Sequence, residues 1–269
     1  MASAPLFTRP FLVTCLATFF FYPSFYLILP VMPLYVAGMG GTSTQLGLII
    51  GLFAFMAMIL RPPAGWIIDT RGSYLVLLSG MAIFVLSSLG YLLAQSVDAV
   101  LALRLFHGMG MGLFPTAATV VVAEVAPLPR RGEAMGWFGI ANSVGMVFGP
   151  AAGTAVAGRM GFPVLFVVAA GVALLGLVCI GMLPRVGKPS GAMSPRPRLA
   201  DLFSPAAILP SVILLFLYVP YGAMVAFIPI IAFQRGLTNV GIFYTVFAVA
   251  VLLVRARAGP SPMRRGARP

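Results

Sequence analysis

The sequence predicts an all-α integral membrane protein, and three observations carry that prediction. Of 269 residues, 61% are hydrophobic and 8% charged, with a mean hydropathy of +1.06. A soluble domain carries about 25% charged residues, so this chain lacks the polar surface to cover a soluble core. Apolar runs follow one another along the chain, most of them near the ~20 residues that cross a hydrocarbon core. None of these runs alternates with period two, as a membrane β-strand would.

Eight runs are legible: Phe11–Val36, Leu46–Trp66, Tyr74–Ala94, Ala99–Val122, Ala134–Ala157, Pro163–Leu183, Ala207–Phe233 and a short Val240–Val254. Polar punctuation separates them at Gly38–Thr44, Asp69–Ser73, Gln95–Asp98, Pro127–Glu133 and Gly158–Gly161. A longer segment rich in Pro and Arg, Pro184–Pro205, follows the sixth run. The first run is too long for a cleaved signal and more spans follow it. Cys15 and Cys179 lie inside apolar runs without metal or redox spacing, which suits small packing residues.

The 17 basic residues divide by side. Alternate boundaries hold Arg9, Arg61, Arg71, Arg130, Arg131, Arg185, Lys188, Arg196, Arg198, Arg255, Arg257, Arg264, Arg265 and Arg268. The opposite boundaries hold only Arg159 and Arg235, and Arg104 lies within a span. Positively charged loops stay in the cytoplasm, so the N-terminus and the long linker are expected there, in a multi-pass protein of the cell membrane. The net charge of +12 therefore reads as topology rather than as nucleic-acid binding.

Five stretches could carry chemistry. Between the second and third runs, Arg61-Pro-Pro-Ala-Gly-Trp-Ile-Ile-Asp-Thr-Arg-Gly72 places Gly65, Asp69, Arg71 and Gly72 in one turn. Its glycines permit a tight turn and close helix approach, and its acid can cap a helix N-terminus. The fourth run contains Arg104-Leu-Phe-His-Gly-Met-Gly-Met-Gly112. An arginine inside a span is costly, which makes Arg104 a candidate functional residue; snorkelling to water from the span end is the alternative. His107, the sole histidine, suits proton transfer, or else plain packing. The fifth run carries Asn142 and then Gly145, Gly149, Pro150 and Gly153. Glycines four apart give one flat face for close packing, and the proline favours a kink. After the fourth run, Glu124, Arg130 and Arg131 could join Asp69 and Arg71 in a cytoplasmic charge cluster; a solvated loop is the alternative. In the first run Tyr22 and Tyr26 share a face with Phe19 and Pro30, which could line a cavity or merely pack.

These motifs resemble those of the major facilitator superfamily. Gly65, Asp69 and Gly72 match its signature loop, Gly-x-x-x-Asp-x-x-Gly, between the second and third helices. The family follows that loop with basic residues, whereas Ser73 and Tyr74 stand here. Arg104 and Gly108 match its fourth-helix Arg-x-x-x-Gly motif, whose arginine is associated with proton coupling. Gly145 to Gly153 resembles the Gly-x-x-x-Gly-Pro-x-x-Gly motif of its antiporters. The resemblance implies a six-helix bundle over 1–183, a cytoplasmic linker over 184–206, and the first two helices of a second bundle over 207–254. A repeat at 194 residues supports that plan, pairing Gly47 with Gly241, Arg61 with Arg255 and Gly65 with Gly259. The remaining 255–269 is expected to be a disordered basic tail, read out of frame, on a chain lacking four helices.

The expected function is alternating-access transport of a small molecule, with proton-coupled efflux implied by the resemblance. A metabolite importer or uniporter of the same fold, or a non-transporting truncated product, are the alternatives. Asp69, Asp98, Glu124, Glu133 and Asp201 all sit at span ends or in loops. A neutral or anionic substrate therefore suits the cavity better than a cation. No phosphate loop, zinc cluster or nucleophile–base set is present in the sequence. Hence no catalytic residues, metal or cofactor are expected, only a proton gradient. The expected partners are the substrate and the bilayer, with no nucleic acid, and a complete chain is expected to be a monomer.

Overall fold

The computed structural model describes residues 5–183 and 205–236, together with 243, 246, 247, 249 and 250. The long linker, most of the eighth run and the basic tail lie outside the described residues. So do the second half of the proposed repeat and the expected boundary at 254. Among the described residues there is no strand, and six helical segments are long and apolar enough to cross a membrane. Lipid supplies no hydrogen bonds, so a spanning backbone must satisfy its own polar groups, and the α-helix does so locally.

The first run forms two helices, α1 (Arg9–Ile28) and α2 (Met32–Gly38). Pro30 causes the break, because its ring removes a donor and crowds the preceding turn. Helix α3 (Ser43–Arg71) opens on a capping box. The Gln45 N–H donates to Thr42 Oγ1 at 3.3 Å, and the Thr42 N–H donates to Gln45 Oε1 at 2.9 Å. Then come α4 (Ser73–Gly90), a 3₁₀ turn Tyr91–Leu93, and α5 (Val97–Val125), capped by Ser96. After a second 3₁₀ turn, Leu128–Arg130, follow α6 (Arg131–Met160), α7 (Phe162–Gly181) and α8 (Pro205–Gln234), which covers the seventh run.

Two connections differ from the sequence expectation in the same way. The polar stretch expected as a loop at Asp69–Ser73 is helical except at Gly72, and that at Gly158–Gly161 is helical up to Gly161. Gly72 has φ +87° and Gly161 φ +85°, backbone states that side chains rarely adopt. One glycine thus reverses the chain at each place. Asp69 consequently lies in the last turn of α3, and α4 has no side-chain cap.

Helix α5 is the hub. It packs against both α3 and α4, while α1 packs on α6 and α7. Phe21, Phe84 and Phe114 join α1, α4 and α5, with ring centroids 4.0 and 4.3 Å apart. Glycines allow the close approaches around the hub. A Cβ on Gly80 would lie 2.6 Å from the Phe114 backbone nitrogen, and one on Gly112 would lie 2.8 Å from the Ala57 carbonyl.

Candidate functional site

Arg104 lies about seven residues, or ~10 Å, along α5 from its N-terminus. Its side chain is only 2% exposed, so it does not snorkel to water. The guanidinium carbon stands 5.5 Å from the Phe53 ring centroid and 5.7 Å from that of Tyr91. Its Nε and Nη2 have no hydrogen-bond partner. No acid pairs with it; among the described residues the only ion pair is Arg130–Glu133. Burying an unpaired ion costs several kcal/mol even after relaxation. Two aromatic faces return about 2 kcal/mol or more each once desolvated, but they leave the charge without an acid. Arg104 therefore works against the stability of the bundle that holds it.

His107 is one helical turn further on and fully buried. Its Nδ1 lies 3.2 Å from Tyr91 Oη, while its Nε2 has no partner. Phe84 and Phe53 set their rings edge-on to the imidazole at 4.2 and 5.4 Å. Tyr91 is itself held in place, since Tyr35 Oη donates to the Tyr91 and Ala94 carbonyls at 3.3 Å each. Tyr91 and Phe53 thus complete the site, and sequence reasoning missed both. The available signal was a hydroxylated aromatic at the end of the third run, close to the hairpin that leads to Arg104. Chemically, the cluster offers a buried positive charge beside a hydrogen-bonded phenol–imidazole pair. It is closed off by the bundle rather than open to a cavity.

The other candidates are distributed around the bundle. Tyr22 and Tyr26 stack on α1 with centroids 6.2 Å apart. Asn142, on α6, is half-buried and its Oδ1 has no partner. The Gly145, Gly149 and Gly153 face lies directly on α1. A Cβ at Gly145 would come within 2.7 Å of the Pro23 nitrogen, and Cβ atoms at Gly149 and Gly153 would meet Tyr26 and the Leu27 carbonyl. This face is therefore an interface within the six-helix unit.

The expected charge cluster is not paired up among the described residues. Arg130 instead holds Glu133, its neighbour three residues on, by two bonds of 2.8 Å from Nε and Nη2. Local geometry at the start of α6 makes that pairing the shorter route. Asp69, Arg71, Glu124 and Arg131 are exposed. Gly65 makes no close approach, because a Cβ there would meet nothing within 4 Å. Gly72 alone of the loop's glycines makes the turn.

The profile of the Major Facilitator Superfamily matches residues 14–268. The chain belongs to this superfamily. It is 33% identical over 152 residues to "Multidrug resistance protein 2" of Bacillus subtilis (strain 168), covering 56% of this chain and 38% of that protein. It is 28% identical over 127 residues to "Quinolone resistance protein NorA" of Staphylococcus aureus (strain MRSA252), covering 47% and 33%. The chain thus spans little more than a third of these curated relatives. The crystal structure of the human organic anion transporter MFSD10 (TETRAN) has a similar fold. Its TM-score is 0.61 at 24% identity, covering 77% of this chain and 55% of that one. A peptide transporter, POT, superposes with a TM-score of 0.58 at 19% identity, covering 83% and 48%.

Proposed function

We propose that this bundle moves a small molecule across the cell membrane by alternating access, outward, in exchange for protons. The observation that carries the reading is the buried Arg104–Tyr91–His107 cluster. A charge inside a span with no acid beside it is a functional-site signal by default. The resistance proteins to which the chain is similar favour export over uptake. Among the described residues Asp69, Asp98, Glu124 and Glu133 all lie at helix ends, so no acid stands within the spans to hold a cation, which favours a neutral or anionic cargo. The N-terminus and the linker face the cytoplasm on this reading, following the basic residues.

The test uses everted vesicles from cells expressing the chain. Acidifying the vesicle interior should drive accumulation of a neutral or anionic fluorescent substrate, and collapsing the proton gradient should stop it. Uptake that ignores the gradient would favour a uniporter. A membrane-inserted chain without any uptake would favour the non-transporting alternative.

A further inference from the structure

Helices α3 and α4 are joined by Gly72 alone, and both pack chiefly on α5. Between them runs a groove of about 530 Å³ with Leu113 of α5 in its lining. Leu60, Pro63, Ala64 and Ile67 line one wall, and Leu75, Val76, Leu78 and Ala82 line the other. Pro62 and Pro63 remove two backbone donors from the middle of α3, the usual cause of a bend there. The only charged residue in the lining is Arg71, in the last turn of α3.

We propose that this groove seats one acyl chain of an anionic phospholipid, with the lipid phosphate held by Arg71. Apart from Ser79, whose hydroxyl donates to the Val76 carbonyl, the lining is apolar along the span and cationic only at its end, which matches the layout of a lipid. The volume lies within the ~300–1,000 Å³ of small-ligand sites. Arg71 is exposed and forms no ion pair among the described residues. Asp69 lies two residues earlier, about 200° around the helix, and is absent from the lining. A planar guanidinium is well suited to phosphate, and basic pockets between spans bind acidic headgroups. The inference rests on the chain spanning a membrane, not on what it transports.

The test is native mass spectrometry of the whole purified chain, titrated with phosphatidylglycerol or with phosphatidylcholine of the same acyl chains. One phosphatidylglycerol should bind, and Arg71→Ala should weaken it roughly fivefold, the effect of one arginine near a lipid headgroup. Ala82→Trp, which fills the groove, should weaken both lipids. Arg9→Ala, an exposed arginine outside the lining, should change neither. Equal losses from Arg71→Ala and Arg9→Ala would overturn the proposal, leaving only diffuse attraction. Displacement of the lipid by inorganic phosphate alone would also overturn it, as would disulfide-linked dimers formed through Ala82→Cys. The last result would put a second copy of the chain in the groove.

Discussion

At the scale of single residues, the sequence exposed the arginine but not its company. Arg104 stands out because a charge interrupts an apolar run, and that signal is local. Tyr91 and Phe53 come from other helices and carry no local mark, so only packing brings them to Arg104. The Tyr91–His107 contact has a measurable consequence. Tyr91→Phe leaves both ring nitrogens of His107 buried without a partner, a penalty of about 1–3 kcal/mol. The melting temperature in detergent should fall. Adding His107→Leu should recover part of the loss, because the imidazole no longer needs the phenol. If the double variant is destabilised by the full sum of the two singles, the contact carries no coupling.

At the scale of helices, the positions of the spans were legible because apolar length is a strong signal in a membrane chain. Their ends were less so. The stretches at Asp69 and Gly158 read as loops because they are polar, yet both are helix that projects past the apolar stripe. The single break that length missed, after Ile28, came from Pro30. The regular glycines of α6 showed a packing face but not its partner. That partner is α1, and a direct prediction follows. Gly149→Leu should cost roughly 1–3 kcal/mol or more through overpacking against Tyr26. Gly158→Leu, on the same helix with nothing within 4 Å of its Cβ, should stay within about 0.5 kcal/mol of the parent. Thermal unfolding of both variants in one detergent checks the contrast, and equal melting temperatures would show that α1 yields to the larger side chain. At the hinge, Gly72→Ala places a Cβ on a residue with φ +87° and should cost about 1–3 kcal/mol.

At the scale of the whole molecule, composition alone led to a helical membrane protein, because so few charges cannot solvate so much apolar surface. Pairing between spans was not legible, since lipid-facing and bundle-facing residues are both apolar. Orientation remains testable through charge. With Cys15 and Cys179 replaced, Thr44→Cys should react with an impermeant thiol reagent on intact cells, and Gly132→Cys only after permeabilisation. The reverse pattern would invert the topology. On the proposed function, Arg104 serves coupling at the expense of stability. The most direct measurement pairs two readouts on Arg104→Met, which preserves length and removes the charge. The melting temperature should equal or exceed the parent's, because a buried ion without an acid beside it is replaced by an apolar chain. Proton-driven uptake in everted vesicles should be lost. Uptake at the parental rate, or a bundle that fails to fold without the charge, would contradict this role for Arg104.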